Sequence, residues 1–110
     1  MNMLPKVDKA FIPIEKLTKY ALNPDCDQDK VIAFELALGY KLDNYEELRQ
    51  NIYKNLKNFE ALPKGHNGFG EIYEVTMNLI GANGKTAKVL TVWIDDDETG
   101  EMRLVTLHID

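Results

Sequence analysis

Residues 71–110 read EIYEVTMNLIGANGKTAKVLTVWIDDDETGEMRLVTLHID, and the punctuation of this stretch decides the fold. Runs rich in β-branched and aromatic residues extend from Glu71 to Ile80, from Lys85 to Asp95 and from Met102 to Ile109, giving three strand candidates. Between them lie Gly81-Ala82-Asn83-Gly84, a hairpin signal through its Asn-Gly pair, and the acidic turn Asp95 to Gly100. Consecutive strands joined by short turns form an antiparallel meander, and Phe59 to Leu62, ahead of Pro63, is expected to add a fourth strand at its edge. A period of two places Val89, Thr91 and Trp93 on one face and Leu90, Val92 and Ile94 on the other. It likewise sets Arg103, Val105, Leu107 and Ile109 against Met102, Leu104, Thr106 and His108. Both faces mix apolar and polar groups, so the pattern does not choose the solvated one.

Upstream of Phe59 the apolar residues recur at helical spacing instead. A first helix is expected over Pro13 to Leu22, with Ile14, Leu17 and Ala21 as its stripe and Asn23-Pro24 as its stop. A second follows the Asp25 to Asp29 cluster, whose carboxylates suit a helix start, and ends at Leu38 with Gly39 as a left-handed cap. Its apolar residues Val31, Ile32, Phe34, Leu36, Ala37 and Leu38 surround the axis, which predicts a central helix. A third opens at Asp43, with Glu46 three residues on, carries Tyr45, Leu48, Ile52 and Leu56, and ends near Asn58. The loop Pro63 to Gly70 is too glycine-rich for regular structure. Helices followed by strands predict an α+β domain: about three N-terminal helices on one face of a three- to four-stranded antiparallel meander sheet. Residues 1–12 lack periodicity and read as a partly ordered arm; residues 13–110 form the single domain.

Composition agrees with an ordinary globular chain: 110 residues, 45% hydrophobic and 28% charged. No apolar run approaches the roughly 20 residues of a membrane span, and the N-terminus lacks a signal peptide's apolar centre, so no membrane is expected and the cytoplasm is the default compartment. The single cysteine, Cys26, fits a reducing compartment and excludes a Cys-rich metal cluster. A net charge of −5 opposes non-specific binding to nucleic acid while leaving room for a local basic groove.

The sequence holds no phosphate-binding glycine loop, zinc spacing or nucleophile elbow, so neither a cofactor nor a metal is expected. Asp95 to Gly100 lacks the alternating ligands of a calcium loop and reads as a solvated turn. His66 and His108 are the side chains that titrate near neutrality without a shift, and either fits a general base. Metal-independent RNA cleavage needs a base for the 2′-hydroxyl, an acid for the leaving oxygen and a cation for the phosphorane charge. Lys30, His66, Thr91, Arg103, Thr106 and His108 include those types, as would the surface of any domain this size. Trp93 is either a base-stacking platform or, as for most lone strand tryptophans, core.

The segments Lys16-Leu17-Thr18-Lys19-Tyr20-Ala21-Leu22-Asn23-Pro24, Lys30, Phe34, Leu38-Gly39-Tyr40, Gly81-Ala82-Asn83-Gly84-Lys85-Thr86-Ala87, Thr91-Val92-Trp93-Ile94 and Arg103-Leu104-Val105-Thr106 together resemble a bacterial family of small domains of unknown function. The resemblance runs from Ile12 to Ile109. Members of that family occur free-standing and as the C-terminal tips of polymorphic toxins. The resemblance implies a toxin-tip-like ribonuclease-type domain, with the order of helices and meander similar to ribonuclease folds by analogy alone. It carries over Lys30, Thr91, Trp93 and Arg103. In the loop after Asn23-Pro24 the family pattern implies a histidine where this chain has Cys26, and a member lacking a catalytic histidine would be inactive. Two readings follow: a domain acting on RNA through Lys30, Arg103 and a threonine or histidine of the sheet, or a non-catalytic protein-binding, immunity-like module. Any functional surface is expected where the start of the second helix meets the sheet, near Lys30, Thr91, Trp93 and Arg103.

Overall fold

In the computed structural model, which describes residues 2–110, one antiparallel sheet runs in the order β1 (Ala61–His66), β2 (Gly70–Ile80), β3 (Thr86–Asp96) and β4 (Met102–Ile109). The meander is as the sequence predicts. Its edge strand, however, continues through Pro63 to His66, residues expected to be loop. Proline is tolerated there because β1 has a neighbour on one side only, and a register shift between Pro63 and Gly65 absorbs the irregularity.

The first half holds two α-helices, α1 (Gln28–Leu38) and α2 (Tyr45–Asn55), rather than three. The segment expected as a first α-helix is instead a π-type turn over Lys16–Ala21, in which the Leu22 N–H reaches back five residues to the Leu17 carbonyl at 2.9 Å. The wider turn brings Leu17, Ala21 and Leu22 into the core together. α1 begins inside the aspartate cluster: the Asp27 carboxylate accepts from the Lys30 N–H at 3.1 Å and caps it. At its far end Gly39 takes φ 75°, and its N–H and that of Tyr40 satisfy the carbonyls of Glu35 and Phe34. The β2–β3 turn presses on this cap, with the Asn83 N–H bonded to the Leu38 carbonyl, and a Cβ at Gly81 would run into that same carbonyl. α2 is entered through a 3-10 turn at Leu42–Asn44, and its start is tied by Asn44, which accepts from the Lys41 N–H at 2.7 Å, not by the predicted Asp43.

The covered face of the sheet is the one bearing Val75, Met77 and Leu79 on β2 and Val89, Thr91 and Trp93 on β3. Phe34 and Leu38 of α1 and Leu48 and Ile52 of α2 join them in one core, each contributing about 1.5–3 kcal/mol by burial. β4 departs from simple alternation. Leu104 opposes Trp93 and Thr106 opposes Val92, so Val105 is an extra residue, a bulge. That is why Leu104 and Leu107, three apart, both reach the core, where strict alternation would have separated them.

The predicted central helix is covered on one side only. Val31, Phe34 and Leu38 face the core, whereas Ile32 is 48% and Leu36 67% exposed. Residues 2–12, set apart in the sequence reading as an arm, supply Leu4 and Ile12 to the core. Phe11 pairs in parallel beside Arg103 on the β4 edge, and α2 holds the segment through Tyr53, whose hydroxyl accepts from the Ile12 N–H, and Arg49, whose Nε donates to the Ile12 carbonyl. No helix is long and apolar enough to cross a membrane among the described residues.

Candidate functional site

The cap at Asp27 turns the first residues of α1 toward the β4 edge. There Lys30 extends its ammonium to the Thr106 hydroxyl, 3.3 Å away and 76 residues later in the chain. The π-type turn and the bulge complete the surroundings: a pocket of about 160 Å³ is lined by Lys16, Tyr20 and Ala21 from the turn, Cys26, Asp27 and Lys30 around the helix start, and Val105 to Leu107 from β4. The lining carries two lysines and one carboxylate, that of Asp27, one of whose oxygens caps α1. The local balance is therefore 2 − 1 = +1 in a chain of net −5. Among the described residues Lys30, like most of the lysines, makes no salt bridge, whereas Lys6, Lys41 and Lys64 bind Asp95, Glu35 and Glu74; what sets Lys30 apart is its contact with the Thr106 hydroxyl. An ammonium beside the Thr106 hydroxyl is a donor pair suited to an anion.

The other predicted site residues lie elsewhere. Thr91 and Trp93 are fully buried: the indole N–H donates to the Thr91 hydroxyl at 2.8 Å, which donates to the Val75 carbonyl at 2.7 Å. Neither reaches a surface, so Trp93 is core and no stacking platform. Arg103 donates to Asp96 at the end of β3, and this bond, aided by the Glu98 backbone N–H, holds the Asp96 carboxyl below its usual range. The surface foreseen around Lys30, Thr91, Trp93 and Arg103 therefore does not form; Lys30 meets Thr106 instead.

His66, at the end of β1, is tied on both ring nitrogens, one to the β1–β2 loop and the other to the β3–β4 turn. Its Nδ1 accepts from the Gly68 N–H at 3.0 Å, which leaves the proton on Nε2 to be donated to Asp97. Both ring nitrogens are thus occupied by partners within the protein. His108, opposite Leu90 on β4, is half-buried and stands apart from the pocket's lining. Among the described residues no group of three His, Cys, Asp or Glu side chains is arranged to hold a metal ion.

Lys16, Tyr20 and the Val105 bulge were not singled out as site residues from sequence. The signal for them lay in the Lys16-to-Pro24 stretch, whose helical reading hid the π-type turn that brings Lys16 and Tyr20 beside Lys30.

The sequence matches, over residues 3–110, the family described as Domain of unknown function (DUF6883). The chain belongs to that family. No curated protein and no solved structure matches it. Within this member of DUF6883, the pocket at the α1 start gathers Lys30, Thr106 and Cys26, three positions marked out from sequence.

Proposed function

We propose that this chain is a ribonuclease-type domain, of the toxin-tip kind and acting in a bacterial cytoplasm, which holds RNA phosphate in the pocket at the start of α1 and lacks the acid–base pair needed for efficient cleavage. What carries the reading is the Lys30–Thr106 contact: a lysine without a carboxylate partner meets a hydroxyl from the far end of the chain, in a pocket whose charge opposes that of the protein. Such a cation and hydroxyl stabilise phosphate charge, whereas cleavage also needs a base poised near neutrality. None of the lining side chains is a histidine, and the one lining carboxylate, Asp27, gives one of its oxygens to the α1 cap. Cys26 lines the pocket at the position where the family resemblance implies a histidine. The test compares RNA binding and cleavage by wild type, Lys30→Ala and Cys26→His. The expected outcome is binding by wild type that Lys30→Ala weakens, and cleavage that rises in Cys26→His. Absence of RNA binding by the folded wild type would sink the reading.

A second reading, a non-catalytic protein-binding or immunity-like module, draws on a different observation. Ile32 and Leu42 are exposed along an apolar groove of about 490 Å³ bounded by α1, Pro24 and Asp43, and Leu36, one turn beyond Ile32 on α1, is exposed as well. Patches of this kind mark protein-interaction sites. A photo-crosslinking residue at Leu36 is expected to capture one discrete partner protein in cells, lost on adding Ile32→Glu; capture that is diffuse or indifferent to Ile32→Glu refutes it.

A further inference from the structure

We infer that Tyr20 is the stacking platform for a base of a single-stranded nucleic acid whose phosphate lies on Lys30 and Thr106, an inference that rests on the phosphate-binding reading above. The volume of the pocket points beyond the pocket itself. At about 160 Å³ it lies well below the roughly 300–1,000 Å³ of sites that enclose a whole small ligand, so it takes one anionic group and leaves the rest of the ligand outside. The part left outside meets Tyr20 at the lip.

Tyr20 is 52% exposed, and the Lys16 ammonium sits 5.6 Å from its ring centroid on one face. That cation steadies the ring and keeps positive charge beside the path of a phosphate backbone. The π-type turn is what makes the arrangement possible, since it buries Leu17, Ala21 and Leu22 and leaves Lys16 and Tyr20 on the pocket side. With Trp93 sealed in the core, Tyr20 is the aromatic side chain among those lining the pocket. A cationic groove beside an aromatic ring is the common recipe for holding single strands, and it tolerates any base because every base has a π-face.

The probes are fluorescein-labelled hexa-adenylate RNA and an abasic ribose-phosphate hexamer of equal charge, titrated at low salt by fluorescence anisotropy. They are titrated against wild type, Tyr20→Ala, Tyr20→Phe and Lys30→Ala, each first shown to be folded by its thermal melt. The expected result is that Tyr20→Ala loses roughly ten- to one-hundred-fold in affinity for the adenylate and nothing for the abasic hexamer. Tyr20→Phe keeps wild-type affinity for both, because the ring and not the hydroxyl does the stacking. Lys30→Ala weakens both probes alike. If Tyr20→Ala binds the adenylate as wild type does while Lys30→Ala still weakens both, the stacking role is overturned and the phosphate site stands. If Tyr20→Phe falls as far as Tyr20→Ala, the hydroxyl acts as a hydrogen-bonding group and the stacking role is again overturned. If wild type binds neither probe, both inferences fall.

Discussion

Replacing Thr91 by valine is expected to destabilise the protein by about 2–3 kcal/mol, although it changes the side chain's volume very little. In the wild type the Thr91 hydroxyl accepts from the Trp93 indole N–H at 2.8 Å and donates to the Val75 carbonyl at 2.7 Å, with both side chains fully buried. Valine fills the same space, so no cavity term enters. The indole N–H is left without an acceptor where no water reaches it, and an unsatisfied buried donor costs about 1–3 kcal/mol, with the lost bond to Val75 adding to this. For a domain of this size that corresponds to a fall in melting temperature of roughly 8–20 °C. Trp93→Phe removes the donor instead and carries its own packing loss. In Thr91→Val/Trp93→Phe nothing is left unpaired on the indole side, so the double variant is expected to cost less than the sum of the singles by about 1–2 kcal/mol. Guanidinium unfolding followed by circular dichroism measures all four proteins on one scale. Trp93, the single tryptophan, adds a fluorescence reading wherever it is present. A Thr91→Val variant within about 0.5 kcal/mol of wild type, or strictly additive singles, would refute the reasoning.

Phe34→Ala is expected to cost about 3–5 kcal/mol, since the ring is fully buried at the centre of the α1–sheet contact; a variant that melts like wild type would overturn the packing described. Asp96 lends the fold pH dependence: Arg103 holds its carboxyl below the ordinary value of 3.8, so its contribution is present above that pH and lost as the pH falls below it. Asp96→Asn should therefore melt below wild type at pH 7 and approach it at pH 3, and a gap independent of pH would contradict the assignment. Gly39→Ala is expected to destabilise by at least about 1 kcal/mol, because φ is 75° and the new methyl would crowd Asn83; thermal melts decide it.

Local chemistry made much of the fold legible. The Asn83-Gly84 pair announced a hairpin, Gly39 announced a left-handed cap, and the aspartates before Gln28 announced a helix start, because each acts within a few residues of itself. What sequence could not supply was burial. The apolar residues around α1 read as a central helix, but only one layer of sheet lies against it, so Ile32 and Leu36 stay outside. Thr91 and Trp93 were polar or amphipathic enough to pass for a site. Their use for one another in the core follows from their sharing one strand face two residues apart, with the Val75 carbonyl opposite.

The candidate site was half legible for a different reason. Lys30, Thr106 and the Cys26 position were each marked from sequence, yet the grouping around them was wrong because it assumed regular periods throughout. Two irregularities decide the matter: the π-type turn at Lys16–Ala21 and the extra residue at Val105. The first carries Lys16 and Tyr20 to the pocket side, and the second lets Leu104 and Leu107 both enter the core while Thr106, between them, meets Lys30. Both line the same pocket. Bulges and π-type turns interrupt the hydrogen-bond ladder, and they cluster at functional sites because they re-aim side chains that a regular element would point elsewhere. A pocket built from two such interruptions, on elements far apart in the chain, is where local consistency with the rest of the fold gives way, and that coincidence gives independent weight to its being the working surface of this protein.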